Sequence, residues 1–234
     1  MEESLINYPV KLVKFAAAAG VASRRKTFDI IMAGMISVNG VAVSEPSTLV
    51  YENDLVEYKG RKLAAAKYLY IALNKPRGYV CTNDDPFVEK KALDLIDISD
   101  TRLFSVGRLD KNSEGLIIFT NDGDFANSLS HPSNMIMKRY LVSTDGKLSD
   151  NDISKMKVGI LDDGEMLKVH SIEVLSECKY LFSLYEGKNR EIRRLIEAFQ
   201  LKVKRLKRIS IGNLKLDGIE LGKWKYIDKN SIIS

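Results

Sequence analysis

The chain has 234 residues, 45% of them hydrophobic and 29% charged, with a formal net charge of +5. That balance belongs to a folded globular protein with room for one large or two small cores, and it excludes a disordered or fibrous chain. Two isolated cysteines, Cys81 and Cys178, exclude a disulfide scaffold and fit a reducing cytoplasm. Glu2 and Glu3 stand where a secretory leader would be basic, and the run FAAAAGVA is too short and weakly apolar to span a bilayer, so neither export nor a membrane anchor is expected.

Residues 9–61 read as a small helix–helix–strand domain. Leu12, Phe15, Ala16 and Ala19 form one helical face that Gly20 ends, and Ser23 can cap a second helix with apolar positions Phe28, Ile31 and Met32. ISVNGVAVS predicts a hairpin about Asn39-Gly40, and DLVEY a further short strand. The alanine-rich stretch 60–67 is the expected join to a second domain, residues 68–234. There, YLYIAL starts a strand, DLIDI a short helix, and GLIIF at 115–119 a buried strand; Asp124 is placed to cap the helix DFANSL. KRYLVST predicts a strand, SDNDISKMKVGI a helix, LKVHSIEVLS with YLFSLYEG a hairpin, NREIRRLIEAF an amphipathic helix, and VKRLKRISIGNLKL another strand. Many strands with few helices, never in strict alternation, give an α+β fold with a largely antiparallel sheet.

Positive charge is concentrated at two places. Residues 186–234 carry 13 Lys or Arg against 6 Asp or Glu. Arg24, Arg25 and Lys26 fill the first turn of the second helix, where the macrodipole favours acids, and no acid occurs between residues 10 and 26. Unpaired N–H groups together with three cations make a phosphate seat; the competing reading is a solvated basic turn.

Only His131 and His170 are present, which excludes a histidine-rich metal site, and neither sits near a nucleophile elbow. No Walker loop or dinucleotide fingerprint occurs. Catalysis without a cofactor then falls to carboxylates, Lys, Arg, Tyr or backbone groups. Asp110, between Arg108 and Lys111 in a glycine-started turn, is such a carboxylate; Asp122 and Asp124 flank a turn beyond the strand and are too far away to pair with it. Its plain reading is a loop acid neutralised by Arg108 or Lys111.

The stretch GRLDKNSEGLIIFTNDG closely resembles the active-site signature of the RsuA/RluB family of pseudouridine synthases. ALNKPRGYV resembles that family's lysine-proline motif, KRY at 138–140 its tyrosine segment, and EGKNREIRRLIEAF with RLKRISIGNLKL its C-terminal motif; AGVASRRKTFDIIMAGMISVNG resembles an S4-type RNA-binding domain. The departures are small: Ser113 for Thr, and Gln200 and Asn213 for Gly and Pro. The wording of the motifs is nearer the RluB branch, which acts on large-subunit ribosomal RNA.

The resemblance implies that Asp110 is the catalytic carboxylate, that Tyr140 stacks on the target uracil, and that Arg193 pairs with Asp110. Arg108 and Lys75 are implied substrate contacts, and Arg24, Arg25, Lys26, Arg190 and Arg194 RNA contacts. From the residues alone, Tyr140 reads as a core aromatic, Lys75 as a turn support and Arg193 as a helix-edge cation. The reaction detaches uracil from ribose and rejoins it through carbon, which needs no cofactor. The expected partner is ribosomal RNA or a ribosomal assembly intermediate, met in the cytoplasm by a monomer. The rival is a non-catalytic RNA-binding assembly factor.

Overall fold

The computed structural model describes residues 6–64, 67–82, 85, 87–98 and 101–232. The chain divides into two compact units, Met1–Leu69 with Ile98–Leu103, and Tyr70–Asp97 with Phe104–Ser234. Two residues of the expected join, 65 and 66, lie outside the described residues. Among the described residues no helix is long and apolar enough to cross a membrane.

The first unit runs β1 (Val10–Lys11), α1 (Leu12–Ala18), α2 (Arg24–Met32), β2 (Ile36–Val38), β3 (Val41–Val43), β4 (Leu49–Val50), β5 (Val56–Tyr58) and β6 (Arg61–Lys62). β3-β2-β5-β6 form an antiparallel sheet, and β1 pairs with β4. Asn39 and Gly40 both have positive φ, +52° and +81°, the geometry that the right-handed strand twist demands of a two-residue hairpin. Leu12, Phe15 and Ala16 of α1 pack with Ile31, Ile36, Val50 and Val56 in one core.

Ser23 caps α2 as expected, its hydroxyl accepting the Lys26 N–H at 3.4 Å. The apolar face is a correction. Thr27 and Ile31 are the buried positions, while Phe28 and Met32 are 48% and 54% exposed. The reason is steric: α2 packs on the alanine-rich α1, and the short Thr27 fits that contact. Its hydroxyl is satisfied by the Ala22 carbonyl at 3.2 Å.

The second unit continues with β7 (Tyr70–Lys75), β8 (Phe104–Val106), β9 (Glu114–Thr120), α3 (Gly123–Ser130), β10 (Lys138–Thr144), α4 (Asp150–Val158), β11 (Ile160–Asp162) and β12 (Glu165–Leu167). It ends with β13 (Ser171–Ser176), β14 (Lys179–Leu184), α5 (Glu191–Glu197), β15 (Val203–Ile211), β16 (Leu214–Lys215) and β17 (Trp224–Tyr226). The main sheet has the order β13-β14-β10-β15-β9-β7-β17, with β8 on β9 and β16 on β15. Every residue of β7 and β9 is buried, so these two strands form the spine of the α+β core. The short helix expected at DLIDI and its flanks is a single 3₁₀ turn, Ala92–Leu95.

Among the described residues the strands pair antiparallel except β15 on β9, where Lys207 and Arg208 lie beside Glu114 and Gly115; a lone bridge between Val80 and Lys91 is also parallel. Gly115 has φ +105°, and a Cβ built there would meet the Arg208 carbonyl oxygen at 2.2 Å. Only glycine permits this approach. Asp122, rather than Asp124, caps α3: its Oδ1 accepts the N–H of Asp124 and Phe125, and its Oδ2 takes the Tyr70 hydroxyl at 2.8 Å. The helix 150–158 ends one residue before Gly159, and the β11–β12 hairpin, absent from the sequence reading, follows at once.

Candidate active site

The segment 107–113, between β8 and β9, is fixed from several sides. The Leu109 N–H lies 3.4 Å from the Cys81 Sγ, and the Lys111 carbonyl accepts the Gly78 N–H at 2.7 Å. Asp110 closes a tight turn, its carbonyl accepting the Ser113 N–H at 3.0 Å. Lys75 has no solvent exposure, and its Nζ donates to the carbonyls of Ser113 (2.8 Å) and Pro76 (3.0 Å). Burial pulls the Lys75 pKa down, opposed by Cys81, Asp110 and Glu114.

Arg193 reaches the same turn from α5. Its Nη2 donates to the Asn112 carbonyl at 3.0 Å and to Ser113 Oγ at 3.3 Å, while its Nε stands 3.7 Å from Asp110 Oδ2. The last distance is an ion contact without a hydrogen bond. The two side chains are unequally covered: Arg193 is 10% exposed and Asp110 38%. Burial lowers the Arg193 pKa and the Asp110 charge opposes that shift. Asp110 is thus the free carboxylate on an otherwise pinned turn.

That carboxylate opens into a cavity of about 160 Å³. Tyr140 lines it from β10 and is 8% exposed; its cross-strand partner Arg208, 3% exposed, lines it from β15. Arg208 Nε donates to the Leu116 carbonyl at 2.7 Å, and its buried Nη2 has no partner among the described residues. Lys138 lies two residues before Tyr140 and donates to the carbonyls of Tyr185 (3.0 Å) and Ile136 (3.3 Å). Burial, reinforced by Arg208, brings its pKa down to about 8. Glu191, at the start of α5, accepts the N–H of Lys188 and Lys168, and burial pushes its pKa up.

The structure therefore gathers Asp110, Arg108, Tyr140 and Arg190 on one cavity, with Arg193 against Asp110. Lys75 lies beneath the turn rather than on the cavity wall. Arg190, in the left-handed region, contacts Glu197 at 3.2 Å. Arg194 is engaged elsewhere: it pairs with Asp162 and Glu165 and so ties the β11–β12 hairpin to α5. Arg24, Arg25 and Lys26 are exposed on the first turn of α2 in the first unit, the two arginines sharing a shallow hollow with Lys11 and Phe28. Sequence reasoning missed Lys138, Glu191 and Cys81, and it offered Arg208 only as one of the run of cations from 202 to 208 open to phosphate, whereas Arg208 is buried on the cavity wall. Lys138 had a usable signal, since alternation puts it on the same strand face as Tyr140.

Residues 69–198 match the RNA pseudouridylate synthase family, and residues 10–56 match the S4 domain. The chain belongs to the RNA pseudouridine synthase family. This pseudouridine synthase is 38% identical over 230 residues to a protein of Aquifex aeolicus described as an uncharacterized RNA pseudouridine synthase, covering 95% of this chain and 92% of that one. It is 35% identical over 218 residues to the ribosomal large subunit pseudouridine synthase B of Bacillus subtilis, covering 91% and 89%. The crystal structure of a pseudouridylate synthase superposes with a TM-score of 0.68 at 28% identity, covering 95% of this chain and 98% of that one. The chain is accordingly an enzyme of the isomerase class with an S4-type RNA-binding domain.

Proposed function

We propose that this pseudouridine synthase isomerises a uridine of large-subunit ribosomal RNA, that it belongs to the RluB-like branch of the RsuA/RluB family, and that Asp110 is its catalytic carboxylate. The observation that carries the reading is the free Asp110 carboxylate on a pinned turn, with the Arg193 guanidinium 3.7 Å away and Tyr140 on the same cavity. A target base must leave its stack to reach such a site, at a cost of a few kcal/mol. Stacking on Tyr140 offsets about 1–3 kcal/mol of that. Arg108 and Arg190 at the cavity, and Arg24, Arg25 and Lys26 on the S4-type domain, are the residues for phosphate contact. Arg194, held by two carboxylates, serves the RNA surface indirectly by fixing the hairpin beside α5.

The chemistry is an isomerisation. The C1′–N1 bond breaks with its electron pair left on the base, the C1′–C5 bond forms, the C5 proton leaves and N1 finishes protonated. Asp110 acts on the electron-poor sugar or as the base, and either task requires its ionised form. The large-subunit assignment rests on the motif wording and on the likeness to the Bacillus subtilis enzyme. The domain limits 9–61 and 68–234, a monomeric state and action in the cytoplasm on ribosomal RNA or an assembly intermediate complete the proposal.

The test is release of tritium from C5-labelled uridine in large- and small-subunit ribosomal RNA, offered separately. The native enzyme is expected to release label from the large-subunit RNA, and Asp110→Asn to bind that RNA without releasing any. Equal release by both proteins removes Asp110 from its role; release from small-subunit RNA alone overturns the substrate assignment.

A further inference from the structure

The reaction leaves a pair of electrons on the base, and the cavity contains two cations, Lys138 of KRY and Arg208 of RLKRISIGNLKL, to which the resemblance gives no part in the chemistry. Lys138 Nζ carries three protons and, among the described residues, has two partners, the carbonyls of Ile136 and Tyr185. Arg208 is 3% exposed, donates from Nε to Leu116, and keeps a buried Nη2 with no acceptor among the described residues. An unsatisfied buried guanidinium nitrogen is costly, and in a cavity wall it marks a place where an acceptor belongs. Both residues line the same cavity as Asp110 and Tyr140, and Arg208 is the cross-strand partner of Tyr140. A ring stacked on Tyr140 therefore has two donors within the same walls.

We propose that Lys138 is a further catalytic residue, and Arg208 its partner, donating to the uracil carbonyl oxygens and stabilising the negative charge that the base acquires when the C1′–N1 bond breaks. The proposal rests on the reading of Asp110 given above. When that bond breaks, the electron pair on N1 delocalises onto O2 and O4; when the C1′–C5 bond forms it is withdrawn again, the C5 proton leaves and N1 is protonated. No other reactant enters. Fixed donors aimed at a developing charge in a site sheltered from water need no reorganisation during the step. They also distinguish uracil from cytosine, whose amino group at C4 would oppose the cations.

The charged groups facing Lys138 are Arg208 from β15, Glu191 from α5 and Glu186 from the segment after β14. Asp110 and Arg108 from the turn before β9, and Lys188 and Arg190 before α5, complete the charged lining. Glu191 is occupied by two backbone N–H groups, so it does not pair off the Lys138 ammonium.

The experiment follows tritium release under single-turnover conditions from about pH 6.5 to about 9.5. It compares the full-length native enzyme, Lys138→Met, Lys138→Arg and Asp110→Asn, with RNA affinity measured in parallel. The native rate is expected to fall above about pH 8 as the ammonium loses its proton. Lys138→Met should be slower by roughly 100-fold at neutral pH, with no fall of its own, and should bind RNA within about threefold of native. Lys138→Arg should recover part of the rate and stay level across the range, because a guanidinium keeps its proton. A native rate in Lys138→Met, a persistent fall above pH 8 in the arginine variant, or a loss of rate matched by a loss of RNA affinity overturns the proposal. If the methionine variant does not fold, the profile of the arginine variant decides. A native enzyme that releases no label at all, or an Asp110→Asn variant as fast as native, removes the underlying reading instead and the proposal with it.

Discussion

Replacing Gly115 with alanine tests the sheet junction on which the cavity is built. A Cβ at this position would lie 2.2 Å from the Arg208 carbonyl oxygen, 2.8 Å from its nitrogen and 3.0 Å from its carbonyl carbon, all backbone atoms. Ordinary contact begins at about 3.4 Å, so β9 and β15 must separate by roughly 1 Å. Overpacking of this kind costs about 1–3 kcal/mol. Holding alanine at φ +105° adds about 1–2 kcal/mol. The sum, about 2–5 kcal/mol, corresponds to a fall in Tm of about 4–20 °C for a unit of this size. Trp224 is the single tryptophan of the chain and pairs with Leu73 across β17 and β7, so its fluorescence follows unfolding of the second unit alone. Tritium release should fall as well, because the displaced backbone carries Arg208 into the cavity wall. A variant that melts within about 2 °C of native would refute the close-approach argument.

Arg193→Met removes a charge 3.7 Å from Asp110. That attraction is ~1 kcal/mol at the dielectric of water and ~4 kcal/mol at an effective value of 20; with Asp110 more than one-third exposed, about 1–2 kcal/mol is expected, a loss of roughly 5- to 30-fold in kcat/KM. Retention of more than half of the native kcat/KM would remove Arg193 from the site. Lys75→Met leaves the carbonyls of Ser113 and Pro76 without their donor, and chemical denaturation should show about 1–3 kcal/mol of lost stability together with a drop in kcat rather than in RNA affinity. Lys138 has a folded pKa of about 8 against an ordinary 10.5. Between those values the unfolded chain binds more protons than the folded one, so this group makes stability rise with pH across that window, and the rise is expected to vanish in Lys138→Met. A native melting curve that lacks this component relative to the variant would show that Lys138 is not desolvated.

Much of the architecture was written in local patterns. Asn39-Gly40 fixed a hairpin through two positive φ angles, and GLIIF proclaimed a strand buried on both faces. The errors share a cause, which is that local patterns do not contain the neighbour. Phe28 and Met32 satisfy helical spacing as well as Thr27 does; what decides between them is the alanine surface of α1. Asp122 and Asp124 are equally good capping residues, and the Tyr70 hydroxyl, 52 positions away, selects Asp122. The site divides in the same way. The motifs named Asp110, Tyr140 and Arg193, but no periodicity could bring a turn at 110 to a helix at 193. Lys138 and Arg208 look like ordinary solvent-facing cations in alternating strands, but they line a cavity whose other wall is the segment 186–192, which no alternation within β10 or β15 reveals.

In the proposed role, the geometry of Asp110 and Arg193 suits a carboxylate that works without a second acid. An arginine bonded to a carboxylate through two parallel hydrogen bonds at about 2.8 Å would hold the charge but occupy the lone pairs that chemistry needs. Here the guanidinium uses Nη2 on the Asn112 carbonyl and on Ser113 Oγ, so it fixes the turn, while Nε stays 3.7 Å from Asp110. Among the described residues the Asp110 oxygens accept no hydrogen bond, so they feel the positive charge and remain available to react. The walls act in the same sense. Arg108, Lys138, Lys188, Arg190 and Arg208 line the cavity against Asp110, Glu186 and Glu191, and Glu191 is bound to backbone N–H groups. An excess of cations favours both the ionised acid and an approaching phosphate backbone. A second acid placed to assist Asp110 would work against both, and on this argument introducing one at Ser113 should reduce RNA affinity and turnover together.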